Sequence, residues 1–484
     1  MNGYDDDFLY EVLKNRDRRF DGRFFFGVTS TGIYCRPGCP ARRPKRENCR
    51  FFESAAAAEK AGFRPCLRCR PELSPGETGA SPEERLSVLA SRALQQADGA
   101  GVDEIAASLG VSERHLRRVF ASRYGVSPVQ YARTFRLLFA RRLILETNLS
   151  FTETAMASGF GSVRRMNALF RERYRCNPTE LRRGASIGRD AGSVVLRISC
   201  RAPYAWSALL DFLEYRAIEG VEEVEKTEAS GGVYRRGVAL ESGGAAYRGW
   251  VAVSRDEKIP SGGTFALSAE VSLSLAPVLG QVVARLKRLF DTDSRPGDVR
   301  ETLGVMTEAC PGLRVPGCFD AFEMGVRAIL GQQITVRAAH TLTTRLVEAL
   351  GEETTTPYPT LRRIFPTPRR LLETDDDTLG RMGIVRNRQR ALHALAEFAL
   401  SGGLEPRADI EGQIRDLQKL PGIGEWTAQY IAMRALDWPD AFPHTDCGVR
   451  AALGNAPPGE ILSLAERWRP WRAYATLYLW QKQK

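Results

Sequence analysis

Four of the ten cysteines stand as two close pairs, Cys35-Arg-Pro-Gly-Cys39 and Cys66-Leu-Arg-Cys69. Two such pairs, separated by one short excursion, can meet at a single tetrahedral zinc ion. No histidine precedes His115, so the site would be all-thiolate. Four thiolates on one divalent zinc leave about −2 on the cluster, which keeps a bound sulfur nucleophilic at neutral pH. A purely structural zinc clip is the bland alternative. A second chemical stretch lies far downstream, at Leu417-Gln-Lys-Leu-Pro-Gly-Ile-Gly-Glu-Trp-Thr-Ala428. Pro421 and Gly422 break an incoming helix, and Gly424 lets the chain turn without a side-chain clash. The next helix then begins with free N–H groups and partial positive charge, which suits a phosphate. Asp446 follows in Phe442-Pro-His-Thr-Asp446-Cys-Gly-Val.

The elements that must hold these residues change along the chain. Its 484 residues suffice for three or four domains. No apolar run has the length of a membrane span. The acidic start, Met1-Asn-Gly-Tyr-Asp-Asp-Asp7, is unlike a secretory signal. A reducing, cytoplasmic setting without disulfides is therefore expected. Net charge is +11, and residues 1–185 hold 32 Lys+Arg against 21 Asp+Glu, whereas residues 186–484 hold 37 of each. The whole excess sits in the first part and implies a polyanionic partner there. Stretches 73–82 and 184–193, rich in Gly, Ser or Pro, read as linkers.

Between those linkers runs a repeat with a period of 50: Ser112, Leu116, Phe120, Tyr124 and Pro128 are matched by Ser162, Met166, Phe170, Tyr174 and Pro178. Each copy reads as a short helix, a turn and a second helix with an apolar face at i, i+4, i+8. That is helix-turn-helix organisation, with the second helix offered to the major groove. Arg114, His115, Arg117 and Arg118 lie on the first candidate recognition helix, and Arg164, Arg165 and Asn167 on the second. The second copy has Arg175 where the first has Gly125. Beyond Val194 the pattern alternates as short strands to Leu275, interrupted by a helix from Trp206 to Ala217, which predicts an antiparallel sheet with helices on one face. From about residue 277 the chain reads as helical.

Three families are echoed in these residues. Asp21-Gly-Arg-Phe-Phe-Phe-Gly-Val-Thr-Ser-Thr-Gly-Ile-Tyr-Cys-Arg-Pro, Arg46-Glu-Asn48 and Ala61-Gly-Phe-Arg-Pro-Cys-Leu-Arg-Cys69 closely resemble the N-terminal domain of the adaptive-response protein Ada. The resemblance implies zinc on Cys35, Cys39, Cys66 and Cys69, with Cys35 accepting a methyl group irreversibly from a DNA phosphotriester. It implies DNA-backbone contacts at Thr31, Arg42 and Arg68, and leaves Cys49 as ordinary packing. Methylation would remove one negative charge and tighten DNA binding. The repeat and Gly159-Phe160 resemble the AraC-type helix-turn-helix pair. From about Val194 onward the chain resembles the AlkA type of 3-methyladenine DNA glycosylase II, of the helix-hairpin-helix superfamily. Its anchors are Arg201-Ala-Pro-Tyr-Ala-Trp206 with Phe212, the stretch 319–332, the hairpin with Asp446, and the segment from Ala465 through Trp480.

That likeness implies an alkylated base flipped from duplex DNA into a pocket lined by Trp426, Tyr430 and Trp480, with Trp206 a further candidate. Asp446 would stabilise the sugar cation or orient the attacking water. Gly422 and Gly424 would approach the backbone of the DNA. The carbonyls of Gln418, Leu420 and Ile423 match positions that hold a monovalent cation beside a phosphate. Two departures stand out. Bifunctional relatives carry a lysine where Trp426 stands, so strand-cleaving lyase activity is not expected. Gln333 stands where the relative places a leucine wedge, so substrate preference would differ. No Pro-Cys-His-Arg acceptor of the O6-alkylguanine transferases is present.

The expectation is a multidomain α+β chain: an Ada-type zinc domain (1–73), an all-α tandem helix-turn-helix (82–185), an antiparallel α/β subdomain (193–295) and an all-α helix-hairpin-helix glycosylase domain (296–484). Its expected role is a monomeric, cytoplasmic bacterial enzyme of DNA alkylation repair, acting on alkylated double-stranded DNA, with promoter DNA and RNA polymerase as further partners. The alternative is a methylation-switched transcriptional activator whose C-terminal half only docks on DNA.

Overall fold

The computed structural model describes residues 4–96, 100–183, 192–227, 231–256 and 264–482. The first module is a four-stranded sheet of β1 (Phe25–Val28), β2 (Ile33–Cys35), β3 (Cys49–Phe52) and β4 (Arg64–Pro65), in the order β3-β1-β2-β4. Phe24, Phe26, Cys49 and Phe51 are buried with the four paired cysteines and with Leu9, Val12 and Leu13 of the helix Asp6–Lys14. So small a core is what a bound metal would reinforce.

Both helix-turn-helix units form. Gly110 (φ +74°) and Gly159 (φ +73°) make the turns, and Ser112 and Ser162 cap the helices Glu113–Tyr124 and Val163–Tyr174. The helix Pro128–Glu146 joins them. Arg175 ends its helix at φ +53°, the same left-handed turn that Gly125 makes at φ +70°. The substitution therefore preserves the geometry at a backbone cost of about 1 kcal/mol.

The zinc-domain sheet is docked on the second unit through a buried carboxylate. Glu59 accepts hydrogen bonds from the Tyr34 hydroxyl (3.2 Å) and the Tyr174 hydroxyl (3.0 Å). Close by, Arg141 pairs with Glu72, both almost fully buried, and Arg70 pairs with Glu146 at 2.9 Å. Burial pushes the Glu59 carboxyl up to about 7, against the two tyrosine hydrogen bonds, Arg173 and Arg141. The docked protein thus holds a proton that an unfolded chain releases near its ordinary value of 4.5. The stability this contributes is full below about pH 4.5 and is lost as pH rises through 7. The stability difference between wild type and Glu59→Gln should therefore change by up to about 3 kcal/mol between pH 4.5 and 8, wild type losing more as pH rises. Denaturant titrations of both proteins at several pH values check this.

The second sheet is wholly antiparallel, with β5 (Ser193–Arg201), β6 (Glu222–Glu225), β7 (Val233–Ser242), β8 (Ala245–Arg255) and β9 (Thr264–Ser272) in the order β5-β9-β8-β7-β6. Gly243 and Gly244, both at positive φ, make the two-residue turn between β7 and β8. Val194, Leu196 and Ile198 alternate inward and pack with Leu209, Leu210 and Leu213 of the helix Trp206–Glu214 and with Val282 and Leu286 of the helix Leu279–Leu289. Phe139 and Leu143, from the long helix-turn-helix connector, join the same core. The remaining helices, from Pro296–Leu303 to Arg472–Gln481, enclose one large apolar core.

Residues 73–82, expected as a linker, are instead a packed strap. The Gly76 amide donates to Asp293 Oδ1 (2.9 Å), its carbonyl accepts from Arg201 Nη1 (2.7 Å), and the Thr78 carbonyl accepts from Arg295 (3.2 Å). Its Gly, Ser and Pro content signals the absence of side-chain packing, but the backbone itself is taken up by charged side chains from the other half. Arg85, in the helix Pro82–Gln95, is buried and donates to the carbonyls of Arg407 (2.9 Å), Leu436 (2.9 Å) and Asp437 (3.2 Å). Burial lowers its guanidinium to about 10. Most of the second expected linker, residues 184–191, lies outside the described residues.

Candidate catalytic cleft and metal centre

The helices Ile410–Gln418 and Glu425–Arg434 form the hairpin. Gly422 sits at φ +76°, where a Cβ would also press on the Ala391 methyl at 3.0 Å. Both facts require glycine. Gly424 does not need its type for its conformation: its backbone is extended (φ −86°, ψ −178°) and open space surrounds the place of a Cβ. Its missing side chain leaves the amides at the start of Glu425–Arg434 open to approach. Gln332 ties the hairpin to the preceding helix, donating to the Gly422 carbonyl (2.8 Å) and Thr427 Oγ1 (2.9 Å).

Asp446 caps the helix Cys447–Ala452. Its Oδ1 accepts from the amides of Gly448 (2.9 Å) and Val449 (3.1 Å) and from Trp480 Nε1 (2.8 Å). Its Oδ2 accepts from Trp426 Nε1 (2.9 Å). Four donors on one carboxylate fix its plane and leave Oδ2 the less engaged oxygen, with room for a further partner. The same two indoles line a cleft of about 1160 Å³ with Tyr430, Gln333 and Asp446. Trp426 stacks on Tyr430 (5.2 Å between centroids), and Trp480 lies 6.4 Å from both Tyr430 and Phe212. Gln333 is exposed at φ +54°, in the turn that closes the cleft.

Trp480→Phe keeps an aromatic wall and removes one donor to Oδ1. A hydrogen bond to a charged group is worth about 1.5–3 kcal/mol, so kcat/KM for base release should fall roughly 10- to 100-fold if the group acts in the transition state. Single-turnover release from alkylated duplex measures it.

Trp206 does not belong to the cleft. It is buried, its indole donates to the Gly232 carbonyl (3.3 Å), and its ring packs 5.6 Å from Phe290. Phe212, from the same helix, faces the aromatic wall in its place. Two arginines escaped the sequence reading. Arg434 donates to Tyr430 Oη (2.7 Å) and to the carbonyls of Pro316 and Gly317, and its guanidinium lies 4.8 Å from the Phe212 ring. The Arg216 guanidinium lies 3.8 Å from the centroid of the same ring, and Arg216 lines the cleft. Neither carries a motif; the i, i+4 spacings of Phe212 with Arg216 and of Tyr430 with Arg434 are the local signs of the two pairs. Below them Glu222, Glu323, Arg236 and Arg327 form a buried network. Burial opposes the ionisation of Glu222, but Arg327 and Arg236 win and hold its carboxyl at about 2.

In the zinc-domain sheet, the parallel pairing of Tyr34 with Pro65 sets Cys35 and Cys66 side by side at the ends of β2 and β4. The sulfurs of Cys35, Cys39, Cys66 and Cys69 lie within 4.8 Å of one another, and all four residues are buried. Hydrogen bonding to Cys39, Cys66 and Cys69 pushes the Cys35 thiol upward. A soft four-sulfur set fits zinc. Thr31, Arg42 and Arg68 are exposed around the cleft of about 620 Å³ that Cys35, Cys39 and Cys66 border. Arg141, Tyr174 and Cys176 of the helix-turn-helix region form its opposite wall. On the recognition helices Arg114, Arg117, Arg118, Arg164 and Arg165 are exposed and His115 is half-buried. Arg117 pairs with Glu113, and Arg118 meets His115 at 3.1 Å.

Comparison with known proteins finds four family matches along the chain. Residues 9–72 match the metal binding domain of Ada, 105–184 a helix-turn-helix domain, 195–320 the AlkA N-terminal domain, and 326–456 the HhH-GPD superfamily base excision DNA repair protein. A Mycobacterium tuberculosis protein named probable bifunctional transcriptional activator/DNA repair enzyme AlkA is 38% identical over 98% of this chain and 96% of its own. The Escherichia coli DNA-3-methyladenine glycosylase 2 is 39% identical over 58% of this chain and 95% of its own. The Escherichia coli bifunctional transcriptional activator/DNA repair enzyme Ada is 36% identical over 32% of this chain and 43% of its own. With its four modules in this order and that likeness end to end, the chain belongs to the AlkA family of bifunctional transcriptional activator/DNA repair enzymes.

Proposed function

We propose that the chain repairs alkylated DNA as a monofunctional 3-methyladenine DNA glycosylase and accepts methyl groups from DNA phosphotriesters on Cys35. The observation that carries the first activity is the grip of Trp426 and Trp480 on Asp446 at the wall of an aromatic cleft behind the hairpin. An alkylated purine is cationic and already a good leaving group. It needs extraction from the stack, an electron-rich wall, and a negative charge beside the sugar. Trp426, Tyr430 and Trp480 supply the wall. Oδ2 of Asp446 faces the developing sugar cation or the attacking water. Gln333 fills the gap left by the flipped base, and the hairpin amides past Gly422 and Gly424 hold a phosphate. A monovalent cation on the carbonyls of Gln418, Leu420 and Ile423 supports that contact. Trp426 offers no amine, so the abasic product stays uncleaved. The test is incubation of the intact, zinc-loaded protein with methylated duplex: free 3-methyladenine with an unbroken strand supports the reading, and no release demotes this half to a docking module.

For the second activity, Cys35, Cys39, Cys66 and Cys69 would hold zinc, which keeps sulfur in its thiolate form. The Cys35 sulfur gives its electron pair to the methyl carbon. The carbon–oxygen bond breaks, and its pair stays on the phosphate as a diester anion. Thr31, Arg42 and Arg68 steady the DNA backbone at the mouth of the cleft. A regulatory reading is compatible and is favoured by the exposed arginines on both recognition helices. Loss of one negative charge at Cys35 tightens promoter binding and recruits RNA polymerase, in a monomer working in a bacterial cytoplasm.

A further inference from the structure

The Cys35–Cys39 loop is held by a residue that is not a ligand. Asp21 is 2% exposed, and its carboxylate accepts from the Gly38 amide (2.8 Å) and pairs with Arg36 Nη1 (3.2 Å). Arg36 and Gly38 both lie between the two cysteines, so this one carboxylate clamps the loop from inside. Asp21 is in turn held from the other half of the chain. Arg201, at the end of β5, is 5% exposed and donates through Nη2 to the Asp21 carbonyl (3.0 Å). Its Nη1 faces the carbonyls of Gly76 (2.7 Å), Asp293 (3.1 Å) and Ser294 (3.4 Å). The Arg201 carbonyl is itself gripped by Arg314 Nη2 at 2.5 Å. The guanidinium is thereby anchored in the glycosylase half and reaches across the boundary.

We propose that Asp21 and Arg201 are a positioning pair for the methyl-acceptor site: Arg201 fixes the backbone of Asp21, and the Asp21 carboxylate fixes the loop that carries Cys35 and Cys39. This rests on the reading of Cys35 as a methyl acceptor. The site is then completed by the glycosylase half. Groups that orient metal ligands from outside typically matter about 10- to 100-fold in metal affinity or activity. The pair acts in series, so the loss of Arg201 costs little once the Asp21 carboxylate is gone.

The experiment uses the full-length protein loaded with zinc for kinetics and with cobalt(II) for spectroscopy. Asp21→Ala, Arg201→Lys and the double variant are compared with wild type. Arg201→Lys keeps the charge but loses the planar fork that reaches the Asp21 and Gly76 carbonyls at once. Methyl transfer from a methylphosphotriester oligonucleotide should slow on the order of tenfold in Asp21→Ala and severalfold in Arg201→Lys. The cobalt thiolate absorption should shift in both, and the double variant should be no slower than Asp21→Ala. Base release by Asp21→Ala, measured on the same preparation, should stay at the wild-type level and so report an intact glycosylase half, while stoichiometric cobalt binding in a four-thiolate spectrum reports an intact zinc module. A wild-type rate and spectrum in Asp21→Ala overturns the proposal, as does a double variant whose loss is the product of the single losses. A wild-type protein that binds cobalt in a four-thiolate spectrum yet takes no methyl overturns the methyl-acceptor reading instead. In that case the spectra alone decide the pair: an unshifted Asp21→Ala spectrum refutes it.

Discussion

Asp446→Asn is expected to lower release of 3-methyladenine from methylated duplex on the order of 10²- to 10³-fold. The loss has two sources in the geometry. The amide carries no negative charge to set against a forming sugar cation. It also has only one acceptor oxygen, whereas the carboxylate receives indole N–H groups on both of its oxygens. If the Asn oxygen keeps Gly448, Val449 and Trp480, its NH₂ is turned against the Trp426 N–H, a contact between two donors. Trp426 must then rotate away, and its stack on Tyr430 goes with it. The substitution should therefore depress kcat and also weaken binding of an alkylated base, a split that single-turnover kinetics over a range of enzyme concentrations resolves. An Asp446→Asn protein that releases base at the wild-type rate would remove this residue from the chemistry.

Cys35→Ala should abolish stoichiometric methyl uptake from a phosphotriester substrate while base release by the same preparation is retained. Three sulfurs remain in the cluster, so zinc binding weakens and does not vanish. Cys66→Ser should behave differently. Cys66 sits where β2 and β4 meet, and its amide donates to the Tyr34 carbonyl at 3.0 Å. Disturbing it loosens both metal and sheet, so uptake and module stability should fall together, as chelation would also cause. Mass spectrometry of the tryptic peptides gives the methylated residue directly. A methyl group on Cys39, Cys66 or Cys69 in the wild-type protein would reassign the acceptor.

The parts that sequence made legible share a physical property: each depends on spacing within a short stretch. The cysteine pairs, the period of 50 and the Pro-Gly-Ile-Gly turn are local patterns, and each leads directly to an element of the structure. Ser112 and Ser162 as caps, and the alternation of Val194, Leu196 and Ile198, are of the same kind. What escaped depends on partners far along the chain. Trp206 reads as a cleft aromatic because of its motif, yet its indole is consumed by the Gly232 carbonyl. Arg434 meets Phe212 and Arg216 at the cleft although more than two hundred residues of chain separate them. Arg201 carries no local sign that its acceptors are the carbonyls of Asp21, Gly76 and Asp293.

Arg85 bears on how such a chain can be recombined. Its guanidinium donates to three main-chain carbonyls of the C-terminal half and lies 5.4 Å from the centroid of the Trp438 ring. A main-chain acceptor exists in any sequence that follows the same path, so point mutations in the partner segments, those of Asp437 and Trp438 apart, leave the joint intact. Exchanging the whole C-terminal half for one with a different loop at 405–408 or 435–438 would strand a buried cation. The seam therefore tolerates drift of sequence on either side and resists module shuffling, and a chimera joined at residues 184–193, which parts Arg85 from those carbonyls, would need Arg85 replaced by an apolar residue before it could close.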